Sequence, residues 1–168
     1  KAKEALQDSQ NRVQTMSRIH ETLYRSDNLS AIDMKTYLSE LGATILQGYT
    51  NSGNVNLKVK AENIMIEVRQ ASSLGLIANE LITNSIKYAF PDDRKGEIVL
   101  DLKSNEENEV ELIVSDNGIG IPEGLDLEKT DSLGLKLVKN ITENQLNGSI
   151  EMESKNGTKF TIKFNIET

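Results

Sequence analysis

The stretch Asn79-Glu80-Leu81-Ile82-Thr83-Asn84-Ser85-Ile86-Lys87-Tyr88-Ala89-Phe90 decides how the rest of the sequence is interpreted. With the apolar residues 74–78 before it, the stretch predicts a helix with one apolar and one polar face, at about 100° per residue. The polar face carries Glu80, Asn84, Lys87 and Tyr88 within one arc, whereas a solvated face usually mixes many charges of both signs. We interpret this face as a binding site; the alternative is an amphipathic core helix with ordinary surface polar residues.

The residue types on this face suit a complex of magnesium and a nucleotide. Because a triphosphate already supplies negative charge, the neutral carbonyl oxygen of Asn84 completes a Mg²⁺ shell without adding repulsion. Glu80, one turn earlier, is placed to orient a metal-bound water or to act as a base. Lys87 is placed to neutralise phosphate, and Tyr88 to stack on the nucleotide base. Asn79 lies about 100° from Glu80 around the helix and is not expected to be a direct ligand.

Composition narrows the class of protein. The 168 residues are enough for one core, and the net charge of −7 argues against a general binder of nucleic acid or of anionic membranes. The absence of cysteine excludes disulfides and thiolate metal sites, and a single histidine excludes a multi-histidine metal site. No run of about 18 apolar residues and no signal peptide is present, so we expect a cytoplasmic segment without membrane contact.

Hydrophobic periodicity predicts an alternation of helices and strands. Helices are predicted over residues 1–25, 30–48, 74–90 and 132–148, and strands over 55–59, 64–68, 97–102, 110–114, 149–152 and 159–164. Ser26 to Leu29 is predicted to be a turn, Ser30 and Asp33 a capping box, and Thr50 to Asn54 a polar loop. Because the chain opens at Lys1 in mid-helix, we expect it to be a piece of a longer protein.

A second part of the predicted site follows the strand over residues 110–114. Asp-Asn-Gly alone usually marks a tight turn, but here Asp116 is followed by Gly118 and Gly120 on an irregular path rather than by an alternating strand. A carboxylate at a strand end accepts a hydrogen bond from the exocyclic amine of adenine and repels the carbonyl oxygen of guanine. Asp116 is therefore predicted to select ATP over GTP.

The third part of the predicted site is a helix start. Ser132, Leu133, Gly134 and Leu135 supply free backbone N–H groups and the positive end of the helix dipole, which together hold phosphate. Thr158, after Gly157, returns a hydroxyl or amide to the same pocket, or belongs to a simple hairpin turn.

His20 lies on or beside the apolar stripe of the first helix and is followed by Glu21. One interpretation is a phosphoacceptor histidine with a neighbouring acid. The other, which we favour, is a histidine on the seam of a helix that needs a partner, because nothing after Glu21 supports a functional role.

Four sequence motifs resemble those of a known superfamily in their order and spacing: Asn79-Glu80-x-x-x-Asn84-x-x-Lys87-Tyr88, Asp116-x-Gly118-x-Gly120, Gly134-Leu135 and Gly157-Thr158. Over residues 55–166 the sequence resembles the GHKL ATPases, and most of all the ATP-binding domain of two-component sensor histidine kinases. This resemblance implies an α+β fold: a two-layer α/β sandwich of the Bergerat type, whose mixed, mostly antiparallel sheet carries three helices on one face. It also implies ATP and Mg²⁺ as cofactors, Asn84 as the metal ligand, Asp116 as the adenine reader, and a lid from Ile121 to Leu133.

The resemblance further implies a domain division and a set of partners. Residues 1–29 would be the second helix of a dimerisation and phosphoacceptor hairpin, and residues 30–168 the catalytic domain. The chain would transfer the γ-phosphoryl group of ATP to a histidine and serve a response-regulator receiver domain. It would form a homodimer through its N-terminal helix.

Two departures from the commonest histidine-kinase pattern keep alternatives open. Glu80 stands where many such kinases have asparagine, and the lid is short and lacks the box that contains phenylalanine. These features resemble a subfamily whose phosphoacceptor lies on an upstream helix, so we expect the acceptor before Lys1 rather than at His20. The alternatives are an ATPase or protein-serine kinase of the same superfamily, for which Glu80 is the favouring feature, and a scaffold with a degenerate pocket.

Overall fold

The computed structural model describes residues 1–25, 31–49 and 52–167. The described ranges contain four α-helices: α1 (Ala2–Tyr24), α2 (Met34–Gln47), α3 (Val68–Asn84) and α4 (Leu133–Asn140). They contain seven strands: β1 (Ala31–Asp33), β2 (Val55–Ala61), β3 (Met65–Glu67), β4 (Gly96–Ser104), β5 (Glu109–Asp116), β6 (Ser149–Ser154) and β7 (Thr158–Asn165). Helices α3 and α4 each continue into a π-helical turn, Ser85–Ala89 and Ile141–Gln145. None of the described helices combines the length and hydropathy that crossing a bilayer requires.

The main sheet has the strand order β2-β4-β5-β7-β6 within the described residues. β2 and β4 run parallel, and the other neighbours pair antiparallel. Every second residue of the three central strands is buried, which is the burial pattern of a sheet with one covered face: Ile98, Leu100, Leu102, Val110, Leu112, Val114, Phe160, Ile162 and Phe164. The predicted mixed, mostly antiparallel sheet is confirmed.

Helix α3 forms the centre of the helical layer because its apolar row is buried against the sheet and the neighbouring helices. That row is Leu74, Ile77, Ala78, Leu81 and Ile82, each at most 1% exposed. On one side α3 packs against α2, and on the other side against α4. The side chain of Gln70 joins the start of α3 to the end of β7, where it donates to the Asn165 carbonyl oxygen at 2.9 Å.

The segment before α2 differs from the prediction. Ala31–Asp33 forms a short strand that pairs antiparallel with Met65–Glu67. The strand predicted at 64–68 therefore belongs to a separate two-stranded sheet and not to the main sheet. Asp33 is itself the N-cap of α2, because its carboxylate accepts from the Lys35 N–H (3.1 Å) and the Thr36 hydroxyl (2.9 Å). Ser30, the turn 26–29 and the first part of the loop 50–54 lie outside the described residues.

Tyr37 of α2 is buried against α3. Its hydroxyl has no hydrogen-bond partner among the described residues, and burial raises the pKa of Tyr37 well above its usual range. An ideal Cβ on Gly75 would lie 2.0 Å from the hydroxyl oxygen, so glycine at this position allows α2 to approach α3.

We expect Tyr37→Phe to raise the free energy of unfolding by about 1 kcal/mol, because it removes a buried hydroxyl whose desolvation is not repaid. Urea unfolding of the variant and the wild type would measure the difference. Tyr24→Phe is the matched control, since the Tyr24 side chain is 57% exposed and its hydroxyl reaches water. Loss of stability in Tyr37→Phe would show that the hydroxyl has a partner in solution.

Candidate nucleotide-binding site

A cleft of about 470 Å³ opens where the end of α3, the end of β5, the start of β7 and the start of α4 meet. A volume of this size suits a small-molecule ligand. Seven residues predicted from the sequence as binding residues line it: Asn84, Tyr88, Asp116, Gly120, Ser132, Leu135 and Thr158. The cleft therefore brings together the three parts of the predicted site.

The carboxylate of Asp116 is the most constrained polar group in the cleft. Asp116 ends β5, is 9% exposed, and pairs in register with Thr158 on β7. Its Oδ2 accepts from the Ser85 hydroxyl at 2.7 Å, and its Oδ1 accepts from the N–H groups of Gly118 (3.0 Å) and Thr158 (3.2 Å). These hydrogen bonds offset the cost of burying the group and fix its orientation toward the cleft.

Ser85 is a site residue that the sequence analysis missed. It lies in the π-helical turn after Asn84 and is 8% exposed. Its hydroxyl donates to Asp116 and so joins the helical layer to the sheet. Its position between Asn84 and Lys87, both predicted site residues, was the one feature of the sequence that could have pointed to Ser85.

Two glycines let the backbone pass close to Asp116. A Cβ on Gly118 would lie 2.3 Å from the carbonyl oxygen of Ala89, and the next residue, Ile119, donates its N–H to that same oxygen at 3.0 Å. Gly157 has φ of +114°, and a Cβ there would lie 1.9 Å from the Asp116 carbonyl oxygen. Both positions therefore require glycine, and Gly118 acts on the cleft through packing rather than as a lining residue.

The walls of the cleft are apolar, as expected for a site that receives a flat, partly apolar ring. They comprise Ile119, Ile121, Leu125, Leu135 and Phe160. Tyr88 stands at the mouth with 68% of its side chain exposed.

The start of α4 contributes Ser132 and Leu135 to the cleft. Ser132 is the N-cap, and its hydroxyl oxygen accepts from the Leu135 N–H at 3.4 Å. Leu133 is 69% exposed and lies outside the lining, and Gly134 faces Glu80 instead, where a Cβ would come within 2.7 Å of Oε2. The N–H groups of Ser132 and Leu135 donate to the hydroxyl oxygens of Thr130 (3.1 Å) and Ser132 (3.4 Å). Those of Leu133 and Gly134 lack intrahelical acceptors and can reach an anion.

The predicted lid, Ile121 to Leu133, connects the Asp116 loop to α4. It contains turns and no helix or strand before Leu133. Leu125 faces the cleft, and Glu128 forms an ion pair with Lys139 of α4.

Asn84 is the lining residue best suited to a metal ion. Across the described ranges, no three acidic or histidine side chains lie together as a ready-made metal site. A Mg²⁺ ion at this cleft would therefore depend on oxygens brought by its ligand, with the Asn84 carbonyl oxygen as a neutral addition. The residues present fit a metal that arrives with a triphosphate.

Glu80 and Lys87 do not line the cleft, although the helical wheel places them in one arc with Asn84 and Tyr88. At about 100° per residue Lys87 and Glu80 lie on one side of that arc and Asn84 and Tyr88 on the other, so the arc is divided between α1 and the cleft. Both charged side chains face α1 instead. Lys87 forms an ion pair with Asp8 of that helix.

The carboxylate of Glu80 is 3% exposed and is held by Arg12 of α1. Its Oε1 lies 3.0 Å from Arg12 Nε, and its Oε2 accepts from Arg12 Nη2 at 3.1 Å. Burial raises the pKa of Glu80, while the Arg12 guanidinium, and more weakly Lys87, lower it. The sequence analysis missed Arg12 because the pair joins residues that are far apart in sequence.

A second cavity, of about 270 Å³, lies between α1, α2 and α3. Asn79, Thr83 and Lys87 line it from α3, so Asn79 faces this cavity and not the larger cleft. Of its three cations, Arg12 and Lys87 are paired with acids, and Arg18 has no ion pair with a described residue.

Comparison with known proteins gives two family matches. The family described as "Histidine kinase-, DNA gyrase B-, and HSP90-like ATPase" matches residues 69–168, and the family described as "Histidine kinase" matches residues 1–49. Sensor histidine kinase PdtaS of Mycobacterium tuberculosis is 27% identical over an alignment 168 residues long, which covers 96% of this chain and 32% of that protein. The chain thus spans about a third of the length of this relative.

Solved structures share the fold. The histidine kinase domain of the blue-light-activated kinase EL346 of Erythrobacter litoralis superposes with a TM-score of 0.82 at 23% identity, covering 96% of this chain and 83% of that one. The catalytic domain of histidine kinase ThkA gives a TM-score of 0.68 at 20% identity, covering 83% and 97%. Since the first family match spans more than half of the chain, this protein belongs to the histidine kinase-, DNA gyrase B- and HSP90-like ATPase family, and the chain is the ATP-binding catalytic part of a histidine kinase.

Proposed function

We propose that the chain binds ATP with Mg²⁺ in the cleft at Asp116 and transfers the γ-phosphoryl group to a histidine in a two-component signalling system. The observation that carries this proposal is the fixed carboxylate of Asp116 at the end of an apolar cleft of suitable size. An ionised carboxylate has about four acceptor positions. Three are occupied by Ser85, Gly118 and Thr158, which leaves one for the exocyclic amine of adenine.

The phosphates are proposed to lie toward Asn84 and the start of α4. Asn84 would hold Mg²⁺ through its carbonyl oxygen, and the metal, when bound, supplies positive charge to the phosphates. Leu133 and Gly134 would contribute backbone N–H groups, and Ser132 and Leu135, whose N–H groups donate to side-chain oxygens, would share in the positive end of the helix. Because phosphoryl transfer asks little covalent work of the protein, these residues would act by positioning and by neutralising charge.

Glu80 is proposed as the catalytic acid–base group and Lys87 as a phosphate ligand. Glu80 is buried and lies against Gly134 at the start of α4, and Lys87 is half-buried and precedes Tyr88, which lines the cleft. The pKa of Glu80 is raised by burial, which suits a group that exchanges a proton with a histidine nitrogen.

Residues 1–29 are proposed as part of a dimerisation hairpin and residues 30–168 as the catalytic domain. The packing of α2 on β2 supports a boundary before α2, whereas the second family match, over residues 1–49, includes α2. Helix α1 exposes an apolar row that suits a second copy of the chain, because the row remains uncovered in one copy: Leu6 (64% exposed), Val13 (65%), Met16 (41%) and Tyr24 (57%). His20 belongs to this row and stacks on Tyr24 with ring centroids 4.5 Å apart, so we assign it to the interface and not to phosphoryl transfer.

The partners follow from this function. A response-regulator receiver domain would accept the phosphoryl group from the histidine, and the reaction would take place in the cytoplasm, where ATP is available. The net charge of −7 gives no support to nucleic acid or an anionic membrane as a partner.

We expect Asp116→Asn to weaken ATP binding by about 1–3 kcal/mol, because an amide loses the charge-assisted bond to adenine. Titration calorimetry with ATP and GTP would measure both affinities, and the preference for ATP should shrink. Asp101→Asn is the matched control on the neighbouring strand, outside the cleft. Unchanged ATP affinity in a folded Asp116→Asn variant would overturn the adenine assignment.

Ser85→Ala tests the same carboxylate without changing its charge. Removal of one hydrogen bond to Oδ2 is expected to reduce ATP affinity by about 1 kcal/mol, less than the loss in Asp116→Asn. Thr83→Ser, which retains a hydroxyl on the same helix away from the cleft, is the control in the same titration. An effect as large as that of Asp116→Asn would mean that Ser85 itself contacts the nucleotide.

The chain should bind ATP and yet acquire no label from γ-labelled ATP, because His20 is not the acceptor. Autoradiography of the wild type and His20→Gln would test this, with ATP binding measured in parallel. Label that depends on His20 would contradict the assignment. Steady ATP hydrolysis that is lost in Glu80→Gln would favour the alternative, an ATPase or protein-serine kinase that regulates a partner.

A further inference from the structure

The cavity of about 270 Å³ between α1, α2 and α3, called the three-helix cavity below, contains two buried polar side chains without a partner among the described residues. They are Asn79 and Thr83, one turn apart on α3, and each is 7% exposed. Most buried polar side chains in proteins make at least one hydrogen bond. Because Asn79 and Thr83 both line the cavity, a polar molecule bound there would complete their hydrogen bonds.

The lining of the three-helix cavity is positively charged, although the chain as a whole is acidic. Arg12, Arg18 and Lys87 line it against one acid, Asp8, whereas the net charge of the chain is −7. A recess lined mostly by charges of one sign raises the local concentration of the opposite sign. The ligand that suits this cavity is therefore an anion.

Two arginines have N–H donors that the fold does not use. Glu80 engages Nε and Nη2 of Arg12, which leaves both N–H groups of Nη1. Arg18 is exposed and forms no ion pair within the described part of the chain, so its whole guanidinium group can bind an anion. Lys87 adds charge to the cavity but directs its ammonium group at Asp8. The anchoring cations are therefore Arg12 and Arg18.

The spacing of the two arginines narrows the class of anion. Arg12 and Arg18 are separated by about 9 Å along the axis of α1, at about 1.5 Å per residue. A single inorganic ion reaches one of them, whereas a molecule with an anionic group at each end reaches both. The volume is also smaller than that of the nucleotide cleft, about 270 Å³ against about 470 Å³, which suits a ligand smaller than a nucleotide.

We propose that the three-helix cavity is a second ligand site, which takes a short hydroxylated dicarboxylate. One carboxylate binds Arg18 and the other binds Nη1 of Arg12, since a guanidinium group and a carboxylate match through parallel hydrogen bonds. The hydroxyl group between them bonds to Asn79 and Thr83. This site is separate from the nucleotide cleft, and the inference goes beyond the proposed function.

Titration calorimetry on the 168-residue chain tests the class of ligand. L-malate and L-tartrate should each bind saturably, with one molecule per chain. Acetate and inorganic phosphate should bind about ten-fold more weakly, because each loses the charge-assisted contact at one end. Binding of neither dicarboxylate would overturn the proposal, since water then completes Asn79 and Thr83. Phosphate that binds as tightly as L-malate would also overturn it.

Replacement of Arg18 tests where the dicarboxylate binds. Arg18→Gln should weaken L-malate binding about ten-fold, and the exposed position of Arg18 allows the variant to fold. Arg25→Gln is the matched control, because it makes the same change of charge at the end of α1, outside the cavity. Equal losses in the two variants would mean that overall charge attracts the ligand, and the site would be wrong.

Two variants of Thr83 test the contact with the ligand hydroxyl. Thr83→Val keeps the shape of the side chain and should weaken L-malate binding about five-fold, whereas Thr83→Ser keeps the hydroxyl and should retain the affinity. Succinate, which lacks the hydroxyl, should bind the wild type and Thr83→Val equally. Circular dichroism would check that each variant folds. Wild-type affinity for L-malate in Thr83→Val would contradict this placement of the ligand.

The same titrations separate this site from the nucleotide cleft. Arg18→Gln should leave ATP affinity unchanged, and Asp116→Asn should leave L-malate affinity unchanged while ATP binding weakens. If Asp116→Asn weakens both, the dicarboxylate binds in the nucleotide cleft and the second site is wrong. A chain that binds L-malate but no ATP would refute the proposed function alone, and one that binds ATP but no dicarboxylate would refute this inference alone.

Discussion

The carboxylate of Asp116 is the group on which the arrangement of the site depends. It receives hydrogen bonds from the π-helical turn after α3, from the loop after β5 and from the first residue of β7. Those three segments come from both layers of the sandwich, so the position of one buried acid fixes where the helices meet the sheet edge. The cost of burying a charge is met by fixed donors, and the same donors orient the group toward the cleft. Stability and recognition are thus properties of one set of hydrogen bonds.

Much of the fold follows from local sequence patterns. Alternation along β4, β5 and β7 and the apolar row of α3 predicted the sheet and its covering helix, because both signals depend on neighbours within a few residues. Strand β1 escaped prediction since its three residues carry no pattern of their own and exist through pairing with β3. The polar arc was interpreted as one site for a similar reason: Glu80 and Lys87 pair with α1, and the packing of α1 on α3 cannot be seen from the sequence of α3 alone.

The residues of the candidate site also fall into two groups, those predicted from local sequence and those that depend on distant partners. Asn84, Asp116, Ser132 and Thr158 were predicted because each sits in a short motif whose chemistry is visible locally, and the cleft brings them together. Ser85 and Arg12 were missed because their roles lie in partners distant along the chain, Asp116 and Glu80. Glu80 shows why such contacts matter to interpretation. The same carboxylate is a free base on a helical wheel and a bound, buried partner of arginine once α1 is placed.

Helix α1 carries its two contact rows side by side. Arg12, Ile19 and Leu23 face the domain, and the residue after each, Val13, His20 and Tyr24, belongs to the exposed apolar row. Successive residues of an α-helix are about 100° apart, so rotation of α1 about its own axis by that angle would bring the exposed row to the side where the first row now faces the domain. A torque applied along this helix would therefore change which side chains meet α3 without bending or unwinding it, and the helix would transmit a twist as readily as a displacement.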